Sequence, residues 1–205
     1  YRALLDELEL IPVQSHEPFG NSMGEDGGRF YFRKTPLSID LAGKIGIPSI
    51  TLHAGIETKP MTAEEYMEKT VEIFRALIPY AEKYGTKLLI ENTGWKVDGI
   101  HMSTADQLNE LLDRLDHPLF GVCWDTGHAN LCNLNQYDEL VKLGSRLQGL
   151  HVHDNYGGER TPGCDLHQYP FCGNVNFDAV IQALLDINYK GTFNFEVDCP
   201  VHRSV

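Results

Sequence analysis

The sequence lacks the features that mark several common classes of protein. No apolar run approaches the roughly 20 residues of a membrane-spanning helix, and no leader pattern precedes the first helical stretch, so we expect no membrane segment. The five cysteines follow no CxxC or zinc-ribbon spacing, which favours free thiols and a cytoplasmic location. No G-x-G-x-x-G follows the first apolar run, so a dinucleotide site has no support.

Positive charge is also scarce. Lysine and arginine total 17 against 29 acidic residues, and the basic residues are scattered rather than clustered. A net charge of −12 would repel a phosphate backbone, which argues against nucleic acid as a partner. A chain of 205 residues with 42% apolar residues is typical of one soluble globular domain, here residues 1–205.

One pattern repeats along the chain: a short apolar run, a polar or glycine-rich loop, then an amphipathic helical stretch. This alternation predicts βαβ units and a parallel sheet, either a closed (β/α)₈ barrel or an open doubly wound sheet. The predicted strands are residues 10–14, 47–52, 87–90, 119–124, 147–150 and 192–195. The predicted helices are residues 36–45, 62–84 (opened by a capping box at Thr62), 103–115 and 176–187.

Each predicted strand is followed by a side chain that can bind metal or transfer a proton. In a parallel barrel these ends meet on one face, where barrel active sites lie. A single such residue usually caps a helix or organises a loop, but all six strands end this way. A buried ring of carboxylates and imidazoles is electrostatically costly without cations, so the pattern predicts a metal site. The residues are His16, His53, Glu91, Asp125, His151 and Glu196, with His128, His153, Asp165 and His167 nearby.

These positions carry a resemblance to a known family. The chain resembles the xylose-isomerase-like TIM-barrel superfamily, which includes sugar isomerases and epimerases, inosose-pathway enzymes and endonuclease-IV-type nucleases. The motifs are Glu91-Asn-Thr, Asp125-Thr-Gly-His128, His151-Val-His-Asp-Asn155, Asp165-Leu-His167 and Phe195-Glu196-Val. The resemblance implies a (β/α)₈ barrel, in which residues 10–14 would be the second strand. The first strand and the last helix are then expected to lie outside this sequence.

The resemblance also implies a ligand set. In the sugar epimerases of this group one divalent ion is held by residues that match Glu91, Asp125, His151 and Glu196. Mixed imidazole and carboxylate ligation suits Mn²⁺, Zn²⁺ or Co²⁺. The endonuclease-IV-like members hold three zinc ions with further ligands. The matching positions here are His16, His53, His128, Asp165 and His167, so a second ion and direct binding of substrate hydroxyls both stay open.

The implied reaction is isomerisation or epimerisation of a sugar, sugar phosphate or keto-polyol through a cis-enediolate. Glu91 and Glu196 would transfer the protons and His128 would bind a substrate hydroxyl. Two other reactions stay open: metal-dependent hydrolysis of a phosphoester, and dehydration of a keto-polyol.

The remaining expectations concern substrate and assembly. Trp95, Trp124, His153 and Arg160 are weaker candidates for substrate contact, and wall packing is an equal alternative for the tryptophans. Loops at residues 20–33 and 155–174 are expected to carry the substrate preference. The expected partner is a small carbohydrate, and homo-oligomers are compatible with this class.

Overall fold

The computed structural model describes residues 1–94, 102–158 and 163–198. Two compact units divide the chain. The first comprises Tyr1–Glu91 and Asn109–Gly121, and the second comprises the remaining described residues. No helix of the described residues is both long enough and apolar enough to cross a membrane.

The elements of the first unit alternate between helix and strand. In chain order they are α1 Arg2–Glu7, β1 Ser15–His16, α2 Glu25–Ile45, β2 Ser49–His53, α3 Ala63–Arg75, α4 Ile78–Glu82 and β3 Lys87–Glu91. The three strands pair in parallel, with Ser15 opposite Ile50 and His53 opposite Glu91. Parallel pairing in this register places the carboxyl ends of β2 and β3 side by side.

Two elements, α5 Ala105–Leu115 and β4 Phe120–Asp125, contain the boundary between the units. The second unit then continues with α6 Thr126–Leu131, α7 Gln136–Leu143, a 3₁₀ turn Gly144–Arg146, β5 Leu147–Val152, α8 Phe177–Asp186 and β6 Asn194–Phe195. Strands β4, β5 and β6 are also parallel, with Asp125 opposite His151 and His151 opposite Asn194.

The first predicted strand was misplaced. Residues 10–14 form no strand, and pairing starts only at Ser15–His16. Leu10 and Ile11 are exposed, and Pro12 has no N–H to donate to a ladder. Residues 10–14 therefore have the composition of a buried strand, but they are not buried.

Two predicted helices have different bounds. Residues 62–84 form α3 and α4 because Pro79 lacks an N–H and its ring would clash with the carbonyl of Arg75. Helix α2 begins at Glu25 instead of residue 36, so the loop predicted at residues 20–33 is largely helical. Its buried side chains Tyr31, Thr35, Ile39 and Ala42 recur at helical spacing on both sides of Pro36. Packing of this face maintains the helix across the proline.

The start of α3 confirms the predicted capping box. The Thr62 hydroxyl accepts a hydrogen bond from the Glu65 N–H at 3.2 Å, and a Glu65 carboxylate oxygen accepts one from the Thr62 N–H at 2.7 Å. Two N–H groups at the end of the helix are thereby satisfied.

We predict that Thr62→Ala lowers the free energy of unfolding by about 1 kcal/mol, because the Glu65 N–H loses its acceptor. Urea denaturation measures the change. Glu68→Ala is the matched control, since Glu68 is an exposed residue of the same helix and should change stability by less than about 0.5 kcal/mol. Equal midpoints for Thr62→Ala and the control would contradict the capping role.

Candidate metal centre

The first unit places two imidazoles against one buried carboxylate. His53 Nε2 lies 3.1 Å from Glu91 Oε2, and His16 Nε2 lies 3.5 Å from the same oxygen. The two imidazole rings are 4.8 Å apart between centroids. Since the three residues end β1, β2 and β3, the parallel register brings together side chains that are successively 37 and 38 positions apart in sequence.

Glu17 supports this group, and the sequence analysis did not identify it. Its Oε1 accepts a hydrogen bond from the backbone N–H of His53 at 2.7 Å, and its Oε2 accepts one from the Thr35 hydroxyl at 3.3 Å. Burial raises the pKa of Glu17 to about 7, although the His53 N–H and the nearby imidazoles act in the opposite direction. The partners of Glu17 are distant in sequence, so no local pattern indicated its role.

The second unit assembles three of the four residues implied by the resemblance as ligands. Asp125, His151 and Glu196 each offer a ligand atom, and these atoms lie within 4.8 Å of one another. His151 Nδ1 is 2.7 Å from Glu196 Oε2. Asp125 and His151 are almost fully buried, so this group is a cluster of metal-capable atoms withdrawn from water.

Asn92 fixes the backbone of Asp125. The Asn92 side chain accepts a hydrogen bond from the Asp125 N–H at 2.6 Å and donates one to the Asp125 carbonyl at 3.0 Å. The Asp125 carboxylate then caps α6 by accepting the His128 N–H at 2.6 Å. Asp125, which could act as a ligand, is therefore also the cap of α6, and its own N–H and carbonyl groups are both hydrogen-bonded to Asn92.

A second group in the same unit surrounds Asp165. Its Oδ2 lies 3.3 Å from His128 Nε2 and 3.2 Å from His167 Nε2. The buried His153 ring stacks on His167 with centroids 4.0 Å apart and planes 11° from parallel, and His153 Nε2 lies 3.0 Å from Asp125 Oδ1. Gly127 leaves room for His153, because a Cβ at that position would clash with the imidazole.

Charge interactions within this group are strong. The hydrogen bond with Asp165 raises the pKa of His167 to about 9. Burial raises the pKa of Asp165, but hydrogen bonds from His128 and His167 outweigh burial and hold that pKa below its usual range. The carboxylate is therefore ionised and in close contact with two imidazoles.

Three of the imidazoles share one further feature that suits metal binding. The Nδ1 atoms of His16, His128 and His167 lie 2.7, 2.9 and 2.9 Å from the backbone carbonyls of Glu17, Asn92 and Glu196, respectively. A carbonyl at that distance can accept a hydrogen bond from Nδ1–H, which orients each ring with Nε2 toward a carboxylate. Metal-binding histidines in proteins are oriented in this way.

The carboxylates complete the fit to a cation. Within the described ranges, Oδ1 of Asp165 is buried and accepts no hydrogen bond, and Oε2 of Glu196 is buried 2.7 Å from His151 Nδ1. A buried carboxylate oxygen without a donor is costly unless a cation is bound near it. The donor set of imidazole nitrogen and carboxylate oxygen is one that Zn²⁺, Mn²⁺ and Co²⁺ accept.

The weaker substrate candidates fall into two sets. Trp95 and Arg160 lie outside the described residues. Trp124 is fully buried and its Nε1 donates to Gln136 Oε1 at 2.9 Å, an environment that favours the wall-packing alternative. His153 is also fully buried and contacts Asp125, so it is placed to orient that carboxylate.

Asp154 organises the loop that carries Asp165 and His167, and the sequence analysis assigned it no role. Its carboxylate accepts hydrogen bonds from the backbone N–H groups of Asn155, Gly173 and Val175 at 2.9, 2.9 and 3.0 Å. Its own backbone pairs with Gln168, the residue after His167. One buried carboxylate thus closes both ends of the loop.

The comparisons with known proteins agree with this architecture. Residues 1–203 match the family described as xylose isomerase-like TIM barrel, and the chain belongs to that family. The predicted α/β class with a (β/α)₈ barrel is thereby confirmed. A solved structure described as a D-tagatose 3-epimerase-like protein superposes with a TM-score of 0.82 and 27% identity, covering 96% of this chain and 74% of that one.

Two relatives illustrate the range of the family. An uncharacterised protein, y4fM of Sinorhizobium fredii, is 29% identical over 171 residues, covering 82% of this chain and 52% of its own length. The mannonate dehydratase of Oceanobacillus iheyensis is 27% identical over 135 residues, covering 63% and 39%. Other relatives are named as ketose 3-epimerases and an inosose dehydratase. The chain spans between about half and two thirds of the length of the first relatives that it matches.

We predict that Asp154→Ala lowers the free energy of unfolding by about 3 kcal/mol, because three backbone N–H groups lose a charged acceptor. Asp154→Asn keeps one acceptor oxygen and should lower the free energy of unfolding by less than Asp154→Ala does. Urea denaturation at neutral pH compares both variants with Asp178→Ala, a control at an exposed site in the first turn of α8 that should cost less than about 1 kcal/mol. An Asp154→Ala variant as stable as the control would contradict the organising role.

Proposed function

We propose that this chain carries the metal-binding and proton-transfer residues of a divalent-metal-dependent isomerase or epimerase. The substrate class is a sugar, a sugar phosphate or a keto-polyol. The observation that carries the proposal is the buried cluster of Asp125, His151 and Glu196 at strand ends in a chain of this family. The 3-epimerase names among the relatives support the reaction class.

The proposed ligands of the ion are Glu91, Asp125, His151 and Glu196. Three of them form the cluster in the second unit, and the fourth follows from the match of the Glu91-Asn-Thr motif to the family. Mn²⁺, Co²⁺ and Zn²⁺ suit this set. When bound, such an ion polarises a substrate carbonyl and its neighbouring hydroxyl and so acidifies the adjacent C–H bond.

The two glutamates are the proposed proton-transfer groups. Each ends a strand or directly follows one, and each has an imidazole nitrogen near its carboxylate: His53 is 3.1 Å from Glu91, and His151 is 2.7 Å from Glu196. In an epimerisation one carboxylate removes the proton from carbon and the other returns a proton to the opposite face, which inverts the centre. His128 is proposed to donate a hydrogen bond to the substrate oxygen on which charge develops.

The other metal-capable residues have two proposed uses. His16 and His53 in the first unit, and Asp165 and His167 in the second, can either hold a further ion or bind substrate hydroxyls. The orientation of His16 and His167 through Nδ1 supports the first use, because it directs Nε2 toward a carboxylate. A site with several ions would favour hydrolysis of a phosphoester instead of epimerisation.

Dehydration is the second candidate reaction. It is favoured by the similarity to a mannonate dehydratase and to an inosose dehydratase. The same base would remove a proton from carbon, but a β-hydroxyl would then leave as water instead of a proton returning. The product of this reaction is lighter than the substrate by one water, so mass spectrometry separates the two candidates.

We predict that the purified full-length protein binds about one equivalent of Mn, Co or Zn and that Glu196→Gln weakens this binding at least tenfold. The expected loss follows from replacing an anionic ligand by a neutral amide. Elemental analysis after dialysis measures the metal content. Glu68→Gln, an exposed residue of α3, is the matched control and should retain the metal.

The same protein in D₂O should incorporate one solvent deuterium at carbon in the ketose that it turns over. Chelation should abolish this exchange, and Mn²⁺ or Co²⁺ should restore it. Two or three equivalents of zinc without exchange into any ketose would favour the hydrolase, and protein without metal under non-chelating conditions would contradict the proposal.

A further inference from the structure

Phe19 is an aromatic side chain that is both exposed and ordered by its neighbours. It is 78% exposed, yet its ring lies 5.2 Å from the His16 imidazole and 6.0 Å from the His53 imidazole between centroids. The Phe19 and His53 planes are within 24° of parallel. One face or edge of the phenyl ring is therefore occupied by the two imidazoles, while most of its surface is open.

The backbone before Phe19 is anchored to the end of β2. The Glu17 N–H donates to the Thr51 carbonyl at 3.0 Å, and the Glu17 carboxylate accepts the His53 N–H at 2.7 Å. Pro18 follows directly and restricts the backbone between Glu17 and Phe19. The backbone on the N-terminal side of Phe19 is therefore fixed to β2.

The backbone after Phe19 is anchored to the loop that follows β2. The Asn21 side chain donates to the Ile56 carbonyl at 2.7 Å and accepts the Ile56 N–H at 2.8 Å. Gly55 allows this close approach, because a Cβ there would clash with the Ser22 hydroxyl. Phe19 thus stands between two fixed points, and its exposure does not result from a loose segment.

The exposed phenyl ring leaves apolar surface in contact with water. A phenyl side chain is more stable when its apolar surface is covered than when it is in water. A side chain of this kind beside metal-capable imidazoles is typical of ligand sites, which combine apolar surface with a few placed polar groups. The apolar C–H face of a sugar or polyol is a surface that a phenyl ring can cover while the imidazoles contact the hydroxyls.

We propose that Phe19 is a substrate-binding residue that stacks on the apolar C–H face of a ketose or keto-polyol. This inference rests on the proposed function and deepens it, because it assigns part of the substrate preference to the segment between Glu17 and Asn21. Phe19 contributes binding and not proton transfer, so its loss should act equally on the ground state and the transition state.

The test compares Phe19→Ala with Phe19→Tyr in the metal-loaded full-length protein, with D-tagatose and D-fructose as probes. We expect Phe19→Ala to raise KM about five- to tenfold and to change kcat less than twofold, since a small apolar contact area is lost. Phe19→Tyr keeps the ring and should restore KM to within about twofold. Calorimetric titration of the sugar should show the same loss in Kd.

The control is Phe32→Ala, which removes an exposed phenyl ring from α2 and should leave KM unchanged. Unchanged KM and Kd in Phe19→Ala would overturn the inference while leaving the proposed function intact. A raised KM accompanied by a lower Tm that Phe19→Tyr does not rescue would also overturn it, because it would indicate a structural role. A wild-type protein that holds metal but neither binds nor exchanges either ketose would overturn this inference alone, whereas a wild-type protein without metal would overturn the proposed function.

Discussion

Buried carboxylates that need a counter-charge are the constraint on which the rest of this structure depends. Asp125 and Glu91 are withdrawn from water, and within the described part of the chain Oδ1 of Asp165 is buried and accepts no hydrogen bond. Oε2 of Glu196 is buried against the His151 imidazole. A carboxylate in such surroundings is stable when it is protonated or when it lies beside an imidazolium group or a metal ion. The histidines contact these carboxylates directly. Asn92 binds the backbone of Asp125, and Asp154 organises the loop that carries Asp165.

The backbone contributes as much to this arrangement as the side chains do. Carbonyl groups orient the rings of His16, His128 and His167 through Nδ1, and an N–H of α6 fixes one oxygen of Asp125. A carbonyl or N–H in a folded backbone has little freedom to reorient, so ligand atoms held in this way are preorganised for a cation. Gly127 also contributes, because its missing Cβ leaves space for the His153 imidazole beside Asp125.

The elements that the sequence predicted well are those with strong local signals. The capping box at Thr62 and the predicted start at residue 176 give helix starts correctly, because a cap is a contact between residues three positions apart; Asn176 accepts the Ala179 N–H in α8. The strands at Ser49–His53 and Lys87–Glu91 were found because they are short apolar runs that are in fact buried. The run at residues 10–14 has the same composition without the burial, and α2 continues through Pro36 because its packed face outweighs a local breaker. Helices α6 and α7 were not predicted, since they have only six and eight residues and show little helical periodicity.

The sequence by itself determined which side chains end the strands, and therefore the family and the set of metal-capable residues. A strand end is a local property, and parallel strands carry such ends to one edge whatever the details of packing. Only the tertiary structure decided which residues support them. Glu17, Asn92 and Asp154 act on backbone groups up to 36 positions away, and Trp124 is buried with its Nε1 donating to Gln136. Contacts of that range depend on loop paths and side-chain packing, which leave no period or spacing in the sequence.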